Sequence, residues 1–377
     1  MTTVAEPKGK EEVVSNPYRF WAARFWHGML LSAWWRLLRR NRFRISLTRV
    51  PLATTISYCT IFNSLAKPLQ TLIYGRRLAE TQLKDDPVFI IGHWRSGTTF
   101  LHELLVLDKR HTCPDSYQCF APSHFLVTRW LITKLRFLMP KHRPMDNVLM
   151  GWDRPQEDEF ALCNMGLPSP YLDMAFPNEP PHYPEYLDFK GVSDADRARW
   201  QHGLKDFLRA VTFRTHKRII LKSPPHTGRI KVLLEMFPDA RFVHIVRDPT
   251  TLFASTVRLW KTLDKYQALQ EPKHEGLEEY VLSSFERMYT AFEEQRHLLD
   301  GAHYFEVRYE DLVRDPVRQM RSLYEQLELG DFERLLPQLE THLAKTRDFQ
   351  TNKYQSDPET EAKVASRWGR YFQRYGY

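Results

Sequence analysis

Residues 87–105, PVFIIGHWRSGTTFLHELL, decide the fold. Val88 to Ile91 form a short apolar run rich in β-branched residues, Gly92 opens a loop, and Phe100, Leu101, Leu104 and Leu105 then recur at helical spacing. The order is strand, loop, helix. A glycine-bounded loop feeding a helix N-terminus presents backbone N–H groups and the positive end of the helix dipole. Gly92, Ser96, Gly97, Thr98 and Thr99 are therefore expected to cradle an anion. Arg95 puts a guanidinium inside that loop, where it can grip one phosphate or sulfate in a forked geometry.

Residues 92–99 nearly match the nucleotide P-loop pattern G-x-x-x-x-G-K-[ST], but Thr98 stands where the lysine belongs. That lysine reaches the β and γ phosphates and the hydroxyl after it binds Mg²⁺, so its absence argues against γ-phosphoryl transfer. The run Arg95-Ser96-Gly97-Thr98-Thr99 behind an apolar strand resembles instead the 5′-phosphosulfate loop of sulfotransferases that use 3′-phosphoadenosine 5′-phosphosulfate (PAPS). Its arginine is more similar to the tyrosylprotein sulfotransferases and their bacterial relatives than to the cytosolic enzymes, which usually carry lysine there. For the loop alone, the plain alternative is a glycine turn that ends a core strand.

Three more strands are expected, and their ends carry the rest of the resemblance. Arg241 to Val246, RFVHIV, runs into Arg247-Asp248-Pro249; Asp248 and Pro249 suit the cap and first turn of a helix reaching Trp260. Ser255 follows Arg247 by eight residues, which is similar to the sulfotransferase 3′-phosphate site and implies that both hold a phosphate that ATP lacks. Arg218 to Lys222, RIILK, leads into Ser223-Pro224-Pro225-His226. Parallel sheets gather functional residues at the carboxyl ends of their strands, so Lys222 and His226 are catalytic candidates. The resemblance implies that the lysine approaches the transferring sulfuryl group; the alternatives are a surface cation for Lys222 and a helix cap for His226. In the strand His303 to Tyr309 and the string RYEDLVRDP, the resemblance implies that Tyr309 lies near the nucleotide. Arg367 and Trp368 resemble a C-terminal element that closes over the 3′-phosphate.

The transfer needs a base, and four carboxylates crowd the stretch DRPQEDEFALCN: Asp153, Glu157, Asp158 and Glu159. One reading is dipole complementation at the start of a helix with Pro155 in its first turn. The other is a catalytic base whose pKa is raised by like-charged neighbours. Glu157 leads, since Phe160 and Ala161 place it on an inward face, with Glu159 behind it. In tyrosylprotein sulfotransferases the base resembles a glutamate soon after the loop helix, where this chain offers Asp115 and Gln118; Asp115 is the rival.

The net charge of +8 is unevenly placed. From Val13 to Ala79 there is no Asp or Glu, while ten arginines and Lys67 fall there, so the rest of the chain is slightly acidic. Phe20 to Leu38, FWAARFWHGMLLSAWWRLL, reads as one helix with Arg24, His27, Ser32 and Arg36 in a polar stripe between aromatic flanks. Arg24 and Arg36 make a spanning helix costly, which leaves an interfacial helix over anionic lipid or a helix packed on the catalytic domain. Pro51 to Ala79 is expected as a second helical pair broken at Pro68 and Gly75. The four cysteines lack metal or disulfide spacing and read as reduced thiols.

The expected class is α/β, a P-loop-like central parallel sheet flanked by helices and preceded by a basic, aromatic helical region. The expected division is a tail over 1–12, the basic region over 13–84 with peripheral membrane contact, and a sulfotransferase domain over 85–377. The resemblance, which spans 87–377, implies sulfuryl transfer from PAPS by in-line displacement to a hydroxyl, in preference to an amine, of an acceptor entering from 110–190. PAPS would leave as 3′-phosphoadenosine 5′-phosphate, without a metal, and a lipid or other amphiphile suits the basic N-terminus. The expected location is cytoplasmic, at the cytosolic face of a membrane, with no nucleic-acid partner. The competing classes are a P-loop-type kinase and a non-catalytic membrane-surface or polyanion-binding protein.

Overall fold

Val88 and Ile90 project to one side of a sheet and Phe89 and Ile91 to the other, and all four are fully buried. A strand buried on both faces and lacking polar alternation belongs in a parallel sheet covered by helices. The computed structural model describes residues 16–19, 21–146, 148–346 and 357–377. The tail expected over 1–12 lies outside them.

Five strands form the sheet: β1 Val88–Ile91, β2 His111–Thr112, β3 Arg218–Lys222, β4 Arg241–Val246 and β5 Tyr304–Arg308. Their order is β2-β3-β1-β4-β5 and every pairing is parallel, with Phe89 opposite Leu221 on one side and Phe242 on the other. The expected P-loop-like α/β class is therefore the fold found. The two-residue edge strand β2 is an addition, too short to leave a periodic signal.

Helices cover both faces. In chain order they are α1 Leu31–Arg40, α2 Val50–Glu80, α3 Thr98–Leu105, α4 Ser116–Phe120, α5 Phe125–Ile132, α6 Asp158–Met165 and α7 Asp194–Thr212. Then follow α8 Ile230–Met236, α9 Pro249–Gln267, α10 Leu277–Gln295, α11 Tyr309–Arg314, α12 Pro316–Gln326, α13 Leu336–Thr346 and α14 Pro358–Tyr375. Asp248 caps α9 as its sequence requires, accepting from Thr251 N at 2.7 Å with Pro249 in the first turn.

The N-terminal region departs from the sequence reading. The single helix expected over 20–38 is a 3₁₀ turn, Phe25–Gly28, followed by α1. The break occurs where Gly28 meets the end of α4: a Cβ there would lie 1.8 Å from Phe120 O. Arg24, expected in a solvent-facing stripe, is buried and donates to Tyr266 O at 2.8 Å and Ala22 O at 2.6 Å. Trp26, Met29, Trp34 and Leu37 join the main core, and Phe25 stacks on Phe160 at 3.8 Å. Packing on the catalytic domain accounts for the buried side of this stretch, while Trp21, Leu31 and Trp35 stay exposed.

The broken pair expected over 51–79 is one 31-residue helix, α2, running through Pro68. A proline inside a helix costs about 3 kcal/mol, but α2 is pinned on both sides of it. Asn63 Nδ2 donates to His27 O at 2.7 Å, and Gln70 Oε1 accepts from Leu126 N at 2.8 Å.

Candidate active site

β1 lies between β3 and β4, and the chain crosses over it from β3 to β4, so a crevice opens at the carboxyl ends of these three strands. One cavity occupies it, lined by Arg95, Gly97, Thr98, Thr99, Glu157, Arg247, Ser255 and Tyr309 among others.

Residues 92–99 turn tightly from β1 into α3. Gly97 caps α3 at φ +104°, and a Cβ there would lie 2.3 Å from the Tyr309 ring, so glycine is required for steric reasons twice over. Arg95 itself adopts φ +70°, an uncommon conformation for a residue with a side chain. Its carbonyl accepts from Arg247 Nη1 at 2.9 Å, which helps hold it there. The Arg95 guanidinium donates to Ser255 Oγ at 3.0 Å and pairs with Asp146 at 2.8 Å. The Arg247 guanidinium lies 4.3 Å over the Tyr309 ring. Loop arginine, strand-end arginine, helix serine and tyrosine thus converge although they are spread over 215 positions of sequence.

A second constellation sits beside them. Lys222, at the tip of β3, is 2% exposed and its Nζ lies 2.5 Å from Glu157 Oε1. The other Glu157 oxygen accepts from Tyr171 OH at 2.5 Å, and Trp94 Nε1 donates to the same hydroxyl at 2.9 Å. Burial pushes the Lys222 ammonium below its ordinary range, with Glu157 opposing the shift and Arg143 adding to it. Burial and the neighbouring Glu157 charge hold the Tyr171 phenol far above its usual value, so it remains a donor.

The three consecutive acids do not act on one another as expected. Helix α6 begins at Asp158, after Pro155, and the chain directs each carboxylate to its own partner. Glu157 lines the cavity and pairs with buried Lys222. Asp158 accepts from Ser223 Oγ and lies against His226 Nε2, both at 2.8 Å, while Glu159 pairs with Arg229 at 2.6 Å, all fully buried outside the cavity. Burial pushes the Asp158 carboxyl up, but His226, the Ser223 hydroxyl and a backbone N–H together hold it below the usual carboxylate range. A cluster that reads as mutual repulsion is a row of carboxylates each with its own partner.

Several expected site residues are placed elsewhere. Glu159 and His226 are structural partners beneath the cavity, and His226 lies within a 3₁₀ turn, Pro224–Gly228, instead of capping a helix. Asp115 is the cap of α4 in a reciprocal box with Gln118 and pairs with Arg129, so the rival base is a helix cap. Ser96 turns inward, its hydroxyl donating to His93 O at 2.8 Å and its backbone N–H to the same carbonyl. Gly92 N donates to Thr227 Oγ1 at 2.8 Å and so braces the loop against the turn after β3. Arg367 lies on the surface between Glu279 and Glu286, and Trp368 stacks on Phe285 at 3.8 Å in the core. The register of α14 on α10 turns both away from the phosphate-facing role; it is Tyr371 that reaches the strand tip, accepting from Arg247 N at 3.1 Å.

The cavity also holds residues that the sequence reading did not single out. Arg143 extends toward Thr99 Oγ1 at 3.5 Å, and Asp146 is held below the ordinary carboxylate range by Arg95 and Arg143 although burial opposes them. Phe25, Phe160, Met174, Leu259, Trp260 and Leu263 give the cavity an apolar side. Arg143 and Asp146 belong to an irregular excursion without periodicity or motif. Tyr171 lies in the proline- and aromatic-rich stretch after Pro168, whose composition was the one available signal.

Comparison with known proteins agrees with this geometry. Residues 87–334 match the model of a sulfotransferase family. The chain is 49% identical over 360 residues to the omega-hydroxy-beta-dihydromenaquinone-9 sulfotransferases of Mycobacterium bovis and Mycobacterium tuberculosis, covering 96% of this chain and 93% of each relative. Among solved structures it resembles a sulfotransferase from Mycobacterium avium, with TM-score 0.65 at 18% identity over 92% of this chain and 96% of that one. A second sulfotransferase structure, from Mycobacterium tuberculosis, matches with TM-score 0.63 at 19% identity over 89% and 91% of the two chains.

Proposed function

The chain belongs to the sulfotransferase family and is a sulfotransferase, and from that premise we propose that it moves the sulfuryl group of PAPS to a hydroxyl of a lipid-like acceptor. The observation that carries the reading is the convergence of Arg95, Arg247 and Ser255 in a cavity that is also lined by Glu157, the partner of buried Lys222. The donor set suits a ligand with two separate phosphate groups. Loop residues Gly97, Thr98 and Thr99 with Arg95 would hold the 5′-phosphate end, and Arg247 with Ser255 the 3′-phosphate, flanked by Tyr309.

Glu157 is the base of this proposal. It takes the proton of the acceptor hydroxyl as that oxygen forms its bond to sulfur, and the bond from sulfur to the 5′-phosphate oxygen breaks. Lys222 and Arg95 stabilise negative charge on the oxygens around sulfur and on the leaving phosphate. Tyr171, fixed by Trp94, positions Glu157. The apolar side of the cavity and the named substrate of the 49%-identical relatives, a hydroxylated dihydromenaquinone, support an amphiphilic acceptor, and with it peripheral contact with a membrane.

Calorimetric titration with 3′-phosphoadenosine 5′-phosphate, ADP and ATP tests the nucleotide assignment. Micromolar binding of the 3′-phosphorylated nucleotide alone, weakened roughly 100-fold by Arg247→Ala, is expected. Equal or tighter binding of ATP would return the chain to kinase chemistry.

A further inference from the structure

Helix α2 is built inside out. The side it buries carries Ala53, Ile56, Thr60, Asn63, Ala66 and Gln70. Its two amides are committed to the body of the protein: Asn63 to the carbonyls of His27 and Met29 and to His124, Gln70 to Leu126 N. The opposite side carries Tyr58, Ile61, Leu65, Leu69, Leu72 and Ile73, each between 46% and 84% exposed. At 100° per residue these six fall within one stripe about 120° wide and about 22 Å long, opposite the buried positions. An ordinary surface helix does the reverse, and an apolar stripe of this extent marks a docking site.

The charge around the stripe selects the partner. Helix α2 holds no acid before Glu80, its last residue, and carries Lys67, Arg76 and Arg77, all exposed. Helix α5 packs on α2 through Leu126 against Gln70 and His124 against Phe62, and it adds exposed Trp130 and Leu131, with Phe137 just beyond. Lys134 lies 5.6 Å from the Trp130 ring. Apolar side chains with tryptophan and basic residues nearby suit the boundary between acyl chains and anionic headgroups. No described helix is long and apolar enough to cross a membrane, so the contact is in the plane of the surface.

We infer that the outer face of α2, with the exposed end of α5, seats this protein on an anionic lipid bilayer. The face is distinct from the aromatic segment of residues 21–38, where Trp26 and Trp34 lie in the core and Trp21 and Trp35 are exposed. The benefit to catalysis rests on the amphiphilic-acceptor reading above: soon after α5 the chain contributes Arg143, Met145, Asp146 and Met150 to the cavity. Docking would bring that wall near the bilayer that holds the acceptor.

Flotation of the full chain with phosphatidylcholine vesicles, with and without phosphatidylglycerol, tests the inference without nucleotide or acceptor. Failure here therefore leaves sulfuryl transfer standing, and loss of nucleotide binding leaves docking standing. Salt-sensitive binding to the anionic vesicles is expected, at least about tenfold weaker in the double variant Leu65→Glu, Leu72→Glu. Brominated acyl chains should quench wild-type tryptophan fluorescence, and Trp130→Phe should remove part of that quenching; this arm decides the matter if the double variant misfolds. Wild-type protein that ignores both vesicle types, equal binding by a folded double variant, or a solution dimer that the two glutamates dissociate would overturn the inference, the last by assigning the stripe to a second copy.

Discussion

The two walls of the cavity are built by opposite means. The anion wall takes Arg95, Gly97, Arg247 and Tyr309 from strand-to-helix junctions after β1, β4 and β5 and Ser255 from the second turn of α9, and each junction folds from its own short sequence. The facing wall takes Arg143, Asp146, Glu157, Tyr171 and Trp260 from irregular excursions and from one turn of a long helix. Their positions depend on contacts such as Glu157 with Lys222 and Tyr171 with Trp94. In the proposed function the first wall recognises a cofactor shared by a whole family, and it can be written locally. The second is the one that proposal turns toward the acceptor, and its residues are held only by the finished tertiary structure.

The sharpest way to break this comparison is to separate the two walls by mutation. Glu157→Gln is expected to lower kcat by about 10³-fold while leaving affinity for 3′-phosphoadenosine 5′-phosphate within about twofold. Single-turnover kinetics beside nucleotide titration would check it. A variant that keeps its kcat would remove Glu157 from chemistry and reduce the facing wall to a lining. A parallel loss of nucleotide affinity would mean that the walls act as one unit.

A smaller effect sharpens the point at which the walls touch. Asp146 presents a carboxylate to Arg95, the residue assigned to an incoming phosphate, and both side chains are at most 20% exposed. An anionic ligand must compete with that carboxylate. Asp146→Ala is expected to tighten nucleotide binding about three- to tenfold, and the gain should shrink in high salt. Weaker binding in the variant would instead make Asp146 a support that holds Arg95 in its productive pose.

The same contrast governs what the sequence discloses. Four strands, the α3 loop and the cap of α9 were legible because each rests on local rules: apolar runs, glycine at a positive φ, aspartate before proline. Glu157 and Lys222 were legible singly, through strand-end position and inward spacing, but their ion pair was not. Asp158 and Glu159 look identical to Glu157 in sequence; only the positions of His226 and Arg229 reveal that they are already occupied. Arg24 misleads in the same way, since helical spacing cannot foresee backbone carbonyls waiting inside the fold. Arg367 and Trp368 sit in a recognisable pair, yet the packing of α14 against α10 decides where they face. Helix α2 hid its orientation because large apolar residues suggest burial, whereas here they are the ones left outside.

An effect on stability alone lies just behind the facing wall. Asp264 follows Leu263 on α9 and is 4% exposed, and its carboxyl is raised from 3.8 to about 7 by burial, with nearby Asp173 adding to it. Below about pH 4 the folded and unfolded chains both hold this proton and the group exacts no penalty. Between about pH 4 and pH 7 the unfolded chain releases the proton first, so stability declines as pH rises, and the loss is complete above the folded value. Denaturant unfolding at about pH 5 and about pH 8 should show wild-type protein weakened by about 1–3 kcal/mol at the higher pH relative to Asp264→Asn, whose response should be flatter. Equal slopes in the two proteins would place the pH dependence elsewhere. A flatter slope in the variant would show that this wall keeps a buried acid at a cost in stability, as expected of a surface shaped for an acceptor more than for its own packing.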